Sequence, residues 1–110
     1  MKTLFISYQC KKGERGNFLD AITSEKLDVA SRNEEGNIQY TYFLPKNDEE
    51  TLLLLEGWKD QESIDSHSNS IHYKRIGELK AKYVEKTNIY RSDNMVTTAE
   101  FENRNNCSAL

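Results

Sequence analysis

A chain of 110 residues and 12.8 kDa has the length of one compact domain and leaves no room for a second. Its 15 Lys+Arg against 18 Asp+Glu give a net charge of −3, and Lys80, Lys82 and Lys86 are interleaved with Glu78 and Glu85, so no clustered cationic surface for nucleic acid is expected. Eleven aromatic residues, at a mean hydropathy of −0.82, exclude a disordered chain and fit a wet globular domain.

Leu4, Ile6 and Tyr8 alternate with Phe5, Ser7 and Gln9 and stop at Lys11-Lys12-Gly13. That period of two predicts a first strand over about Thr3 to Cys10, with apolar or small residues on both faces. From Gly16 the period lengthens. Phe18, Ile22, Val29 and Ala30 sit at helical spacings and predict one helix from about Asn17 to Arg32, closed by Gly36-Asn37. Ile38 to Leu44 is rich in aromatic and branched residues and halts at Pro45, which reads as a strand with Ile38, Tyr40, Tyr42 and Leu44 on one face. Thr51 to Trp58 reads as a buried strand, with Leu52, Leu54, Glu56 and Trp58 pointing one way and Leu53, Leu55 and Gly57 the other.

Asp60 is an N-cap candidate for a short helix to about Ser66, with Glu62 in its first turn. Ser70 can cap a longer helix whose stripe is His72, Ile76, Leu79 and Tyr83. Thr87 to Tyr90 returns to strand character. Met95 to Phe101 is a possible further strand before an Asn-rich tail. The order β-α-β-β-α-β predicts an α+β, ferredoxin-like antiparallel sheet with its helices on one face. Residues 1–92 form this domain and residues 93–110 an extension. Phe5, Phe43, Leu53 and Leu55 then lie on the face without helices, and a second copy packed sheet against sheet is the simplest cover.

The longest apolar run is the four leucines Leu52 to Leu55, far short of the ~20 residues of a membrane span. Met1-Lys2-Thr3 leads straight into the first strand without a signal-peptide hydrophobic segment, so a cytoplasmic location is expected. Cys10 and Cys107 form no CxxC and read as free thiols.

Three stretches carry a resemblance: Ser31-Arg32-Asn33-Glu34-Glu35-Gly36-Asn37-Ile38-Gln39-Tyr40, then Leu55-Glu56-Gly57-Trp58-Lys59-Asp60, then His67 followed by Ser70-Ile71-His72. A Glu-x-Gly-Asn near the first helix end, a Glu-x-Trp-x-Asp leaving the third strand, and a His followed by Ser-x-His resemble the antibiotic biosynthesis monooxygenase family, in its quinol-monooxygenase-like branch. The likeness runs over about Lys2 to Arg91. It implies a dimeric α+β barrel with a pocket between sheet and helices. It also implies, for some members, oxygen insertion into electron-rich aromatics without metal, flavin or haem. Other members degrade haem, rearrange small signalling molecules or have no known reaction, so the fold carries over more directly than the chemistry. Ile6 and Ile76 stand where the haem-degrading branch has Asn and His, and Leu54 stands where the aromatic-polyketide branch has Asn.

Each candidate residue has a chemical and a structural reading. Trp58 can stack on a flat substrate or anchor the core. Glu56, a carboxylate beside leucines, has a raised pKa or a structural partner such as Arg32. His67 can take a proton from a phenol or hydroquinone, or cap a helix; His72 carries the same alternatives at the head of its stripe. Tyr40, Tyr42 and Tyr73 can orient a substrate oxygen, or be core residues with a wet tip. As metal ligands His67 and His72 are five apart rather than four, with no third ligand suggested, so no metal is expected; that no cofactor is needed is what the resemblance implies.

The reading is a homodimeric, cofactor-independent monooxygenase of a small phenolic or quinol-like aromatic. Its site would place His67, Trp58 and Glu56 in catalysis and Tyr40, Tyr42, His72 and Tyr73 on the substrate; O₂ would be the co-substrate, with no nucleic acid and no membrane as partner. The alternatives are a dimeric small-ligand-binding or stress protein without turnover, and a non-oxidative isomerase of small carbonyl signals.

Overall fold

A computed structural model describes residues 1–93. Its elements are β1 (Lys2–Cys10), α1 (Arg15–Ser24), α2 (Leu27–Arg32), β2 (Asn37–Phe43), β3 (Thr51–Trp58), α3 (Gln61–Ser68), α4 (Ile71–Tyr83) and β4 (Val84–Ser92). The four strands make one antiparallel sheet in the order β2-β3-β1-β4, the ferredoxin-like arrangement. The further strand expected over Met95 to Phe101 and the tail lie outside the described residues. No described helix is long and apolar enough to cross a membrane.

Register places the inward residues in rows. Tyr8 faces Leu52 and Thr87, Ile6 faces Leu54 and Ile89, and Glu56 lies between Leu4 and Tyr40. Directly opposed residues share a sheet face, so these side chains meet the helices. Leu52, Leu54 and Trp58 are fully buried there, together with Phe18 and Ile22 of α1. The opposite rows are Phe5 with Leu55 and Tyr90, and Phe43 with Leu53 and Ser7. Phe5, Phe43 and Tyr90 are 37%, 45% and 62% exposed on this helix-free face.

Two local expectations are corrected. The helix expected over Asn17 to Arg32 is two helices, broken at Lys26, whose φ of 57° is left-handed. A continuous helix would keep Val29 in phase with Phe18 and Ile22. The break rotates the next segment, burying Leu27 and Ser31 and leaving Val29 exposed. In β2 the register slips between Asn37 and Gln39, so Ile38 is the extra residue of a bulge and is exposed rather than inward. Leu44 lies past the end of β2 and is also exposed.

The helix starts follow the expected capping chemistry. Asp60 Oδ1 accepts from the Ser63 backbone N–H at 2.9 Å and from its hydroxyl at 2.7 Å. Ser70 Oγ accepts from the Tyr73 N–H at 3.2 Å and donates to the His67 carbonyl at 2.6 Å. These two caps set the α3–α4 corner over the end of β3.

Candidate active site

The site is built where the last turn of α3 crosses the ends of β2 and β3. His67 points inward from α3 and is buried, its ring 4.6 Å from Trp58, 5.9 Å from Tyr40 and 5.2 Å from Tyr73. The residue that orients it comes from the α2–β2 connection. Glu34 Oε2 accepts from His67 Nδ1 at 2.5 Å and from His72 Nε2 at 2.9 Å. A carboxylate only accepts, so Nδ1 carries the hydrogen and the neutral His67 ring leaves its lone pair on Nε2. Burial pushes the His67 pKa below its ordinary value, although the Glu34 hydrogen bond and charge pull it upward. The ring is therefore neutral at neutral pH.

On its other side His67 Nε2 lies 3.8 Å from Glu56 Oε1. That exceeds a hydrogen bond, but an oxygen about 2.8 Å from both atoms completes a triangle between them. Glu56 Oε1 accepts from the Trp58 indole N–H at 2.9 Å. Burial raises the Glu56 pKa from 4.5 to about 7; the indole bond opposes the rise and the charge of Glu34 adds to it. The structural partner expected for Glu56 is corrected: Arg32 instead binds Asp28 at 3.0 Å and the Tyr40 carbonyl at 2.8 Å.

A cavity of about 80 Å³ opens beside this pair. Glu56 and His67 form one wall with Tyr40 and Tyr73; Ile6, Tyr8 and Ile76 line its depth; Lys80, Thr87 and Ile89 line the side toward β4. Ile89, on the edge strand, is 61% exposed. Of the residues singled out in the sequence, His67, Glu56, Tyr40 and Tyr73 come together on this cavity. Trp58 lies beneath it, fully buried, and reaches it only through Glu56 and His67. Tyr42 lies one ring behind Tyr40, 5.8 Å away edge-on, and His72 lies behind Glu34.

Three residues on this network were not singled out. Glu34 was visible as the first residue of the Glu-x-Gly-Asn stretch. The glycine there, Gly36, has a physical reason: a Cβ on it would stand 1.9 Å from Ser63 Oγ, where the start of β2 presses on α3. Tyr8 was legible from strand alternation. Lys80, four residues after Ile76, carried no chemical signal of its own.

The absence of a third ligand is also corrected, since Glu34, His67 and His72 bring one donor atom each within 4.8 Å of one another. Their 2.5 and 2.9 Å separations are hydrogen-bond lengths. Ligands about 2.0–2.1 Å from a tetrahedral zinc stand roughly 3.3 Å apart. As they stand, Glu34 links the two imidazoles by hydrogen bonds.

Comparison with known proteins agrees with the fold. The family model described as antibiotic biosynthesis monooxygenase matches residues 1–79. A Bacillus subtilis (strain 168) protein named "Putative monooxygenase YcnE" is 38% identical over 63 residues, covering 57% of this chain and 64% of that protein, so the match spans less than two thirds of the relative's length. Among solved structures, a "Putative antibiotic biosynthesis monooxygenase" from Nitrosomonas europaea superposes with a TM-score of 0.78 at 18% identity, over 86% of this chain and 99% of that one. A conserved protein from Methanosarcina mazei Go1 superposes with a TM-score of 0.76 at 27% identity, over 86% and 92%.

Proposed function

The chain belongs to the antibiotic biosynthesis monooxygenase family, and from that premise we propose that it is a cofactor-independent monooxygenase of a small phenolic or quinol-like aromatic. The observation that carries the reading is the line Glu34–His67–Glu56. One carboxylate fixes the imidazole tautomer, the free Nε2 faces a partly apolar cavity, and a second carboxyl with a pKa near 7 stands beside it. A neutral base and a neutral acid on one wall suit a substrate that must lose a proton and an intermediate that must gain one.

In this mechanism a hydroquinone hydroxyl gives its proton to His67 Nε2. The anion passes one electron to O₂, and the radical pair combines at a ring carbon to form a peroxide that takes the proton back from His67. The O–O bond then breaks as the same ring carbon loses its hydrogen as a proton. The ring keeps one oxygen atom as a carbonyl, and the other leaves as water with a proton from Glu56, which the C–H proton replaces. Hydroquinone plus O₂ thus becomes hydroxyquinone plus water. The ring supplies both electrons that reduce the second oxygen, so the balance closes on the substrate alone.

A cavity of about 80 Å³ is roughly half the 150 Å³ that holds benzene in a protein core. A ring therefore needs the cavity to widen, and Tyr73, 45% exposed, is its most exposed aromatic wall. Trp58 supports this wall from below and, through its indole, holds Glu56. Tyr42 and His72 act at one remove, behind Tyr40 and Glu34. We further propose residues 1–92 as the domain, 93–110 as an extension, and a homodimer formed through the helix-free face.

The test is oxygen consumption with a hydroquinone panel, wild type against His67→Ala, with circular dichroism on both. Loss of the base is expected to lower the rate ~10²–10⁴-fold in a folded protein. Equal rates would remove His67 from the chemistry. No uptake by wild type with any phenol or hydroquinone would move the assignment to a ligand-binding protein without turnover.

A further inference from the structure

One cation on the cavity has no ion pair among the described residues. Lys80 lines the side toward β4 and is half-buried, with its ammonium 5.5 Å from the centre of the Tyr8 ring. Three nearby cations are held by carboxylates or a carbonyl. Arg75 is gripped by Glu25 and Glu78, Arg32 by Asp28, and Lys11 donates to the Lys82 carbonyl. Among the described residues the Lys80 ammonium has no ion pair and no side-chain hydrogen bond; its contact is the face of the Tyr8 ring, a cation–π interaction. The carboxyl on the same cavity, Glu56, is turned onto the Trp58 indole. A single cation–π contact offsets only part of the cost of withdrawing an ammonium from water, and burial lowers its pKa here. A lysine serving only to cover apolar surface would carry its head out to solvent.

We infer that Lys80 is a specificity-determining residue that receives an anionic oxygen of the substrate, so that the preferred substrate is an aromatic hydroquinone or phenol bearing a carboxylate. Its ring would lie among Tyr8, Tyr73 and Ile76, its hydroxyl at His67 and its carboxylate at Lys80, with the Thr87 hydroxyl beside it on the β4 side. A rigid ring with substituents on two sides is the shape that satisfies both polar ends of an otherwise apolar cavity. This inference rests on the cavity being an aromatic-substrate site.

The experiment is a calorimetric titration under nitrogen, so that no turnover is required. The probes are 2,5-dihydroxybenzoate and its neutral counterpart 2,5-dihydroxybenzyl alcohol. The proteins are wild type, Lys80→Met, which keeps an unbranched apolar stem, and Lys80→Arg, each checked for fold by circular dichroism. A charge-assisted bond predicts that wild type favours the benzoate by roughly ten- to hundredfold. Lys80→Met should bind both probes alike, and Lys80→Arg should keep the preference. The inference is overturned if wild type fails to bind the benzoate at millimolar concentration, if it binds both probes alike, or if Lys80→Met retains the preference. Lys80-dependent binding without oxygen uptake sinks the monooxygenase reading and leaves this one standing. Uptake from plain hydroquinone with no carboxylate preference does the reverse.

Discussion

Replacing Glu56 by Gln tests the electrostatics of the site without relying on any reaction. The side chain is about 5% exposed, and Gln keeps an oxygen that can accept from the Trp58 indole. Burial raises the Glu56 pKa from 4.5 to about 7, so the folded chain binds this proton more tightly than the unfolded one. The associated stability is present in full below about pH 4.5, declines as pH rises, and is gone above about pH 7. At 1.36 kcal/mol per pH unit, that interval corresponds to about 3 kcal/mol. Gln mimics the protonated carboxyl at every pH. Glu56→Gln should therefore match wild type near pH 4.5 and exceed it by about 3 kcal/mol at pH 8. With urea slopes of ~1–3 kcal/mol/M, the midpoints at pH 8 should differ by roughly 1–3 M. Both proteins are unfolded at one fixed concentration, because association would otherwise shift the midpoints. A midpoint difference that is the same at pH 4.5 and pH 8 would show that Glu56 does not hold its proton in the folded state, and would refute its role as an acid at neutral pH.

Three further outcomes are expected. Trp58→Phe removes the indole donor that opposes the rise of Glu56, so the Glu56 titration followed by carbon NMR should move above about 7; an unchanged or lower value would contradict the hydrogen bond. Gly36→Ala forces a methyl group against Ser63 and should cost ~1–3 kcal/mol in urea unfolding, whereas Gly16→Ala, with open space around it, should cost less than ~1 kcal/mol. Light scattering at micromolar concentration should give twice the chain mass, and Phe43→Glu together with Leu53→Glu on the helix-free face should return it to one; a monomeric wild type would exclude that interface.

The backbone architecture was largely written in local patterns. Period-two alternation marks β1 and β3, the stripe Ile76, Leu79 and Tyr83 marks α4, and Asp60 and Ser70 mark the helix starts, because these signals act between residues a few positions apart. Where a local pattern was ambiguous, packing chose. Helical spacing runs smoothly through Lys26, yet the left-handed residue there is what turns Leu27 and Ser31 inward, and the bulge at Ile38 takes that residue off the face that alternation gave it with Tyr40 and Tyr42.

The sequence by itself determined the element order, the ferredoxin-like class and the identity of the odd inward carboxylate, since a Glu in phase with Leu52, Leu54 and Trp58 can only face the core. Tertiary structure decided which groups share a proton. Glu34 and His67 are 33 positions apart and meet at 2.5 Å only because α3 folds back over the start of β2. It also decided that Trp58 supports the cavity from beneath instead of lining it, and that Arg32 belongs to Asp28 rather than Glu56. Hydrogen bonds and charge pairs depend on ångström distances between segments remote in the chain, and residue spacing along the sequence does not encode those distances.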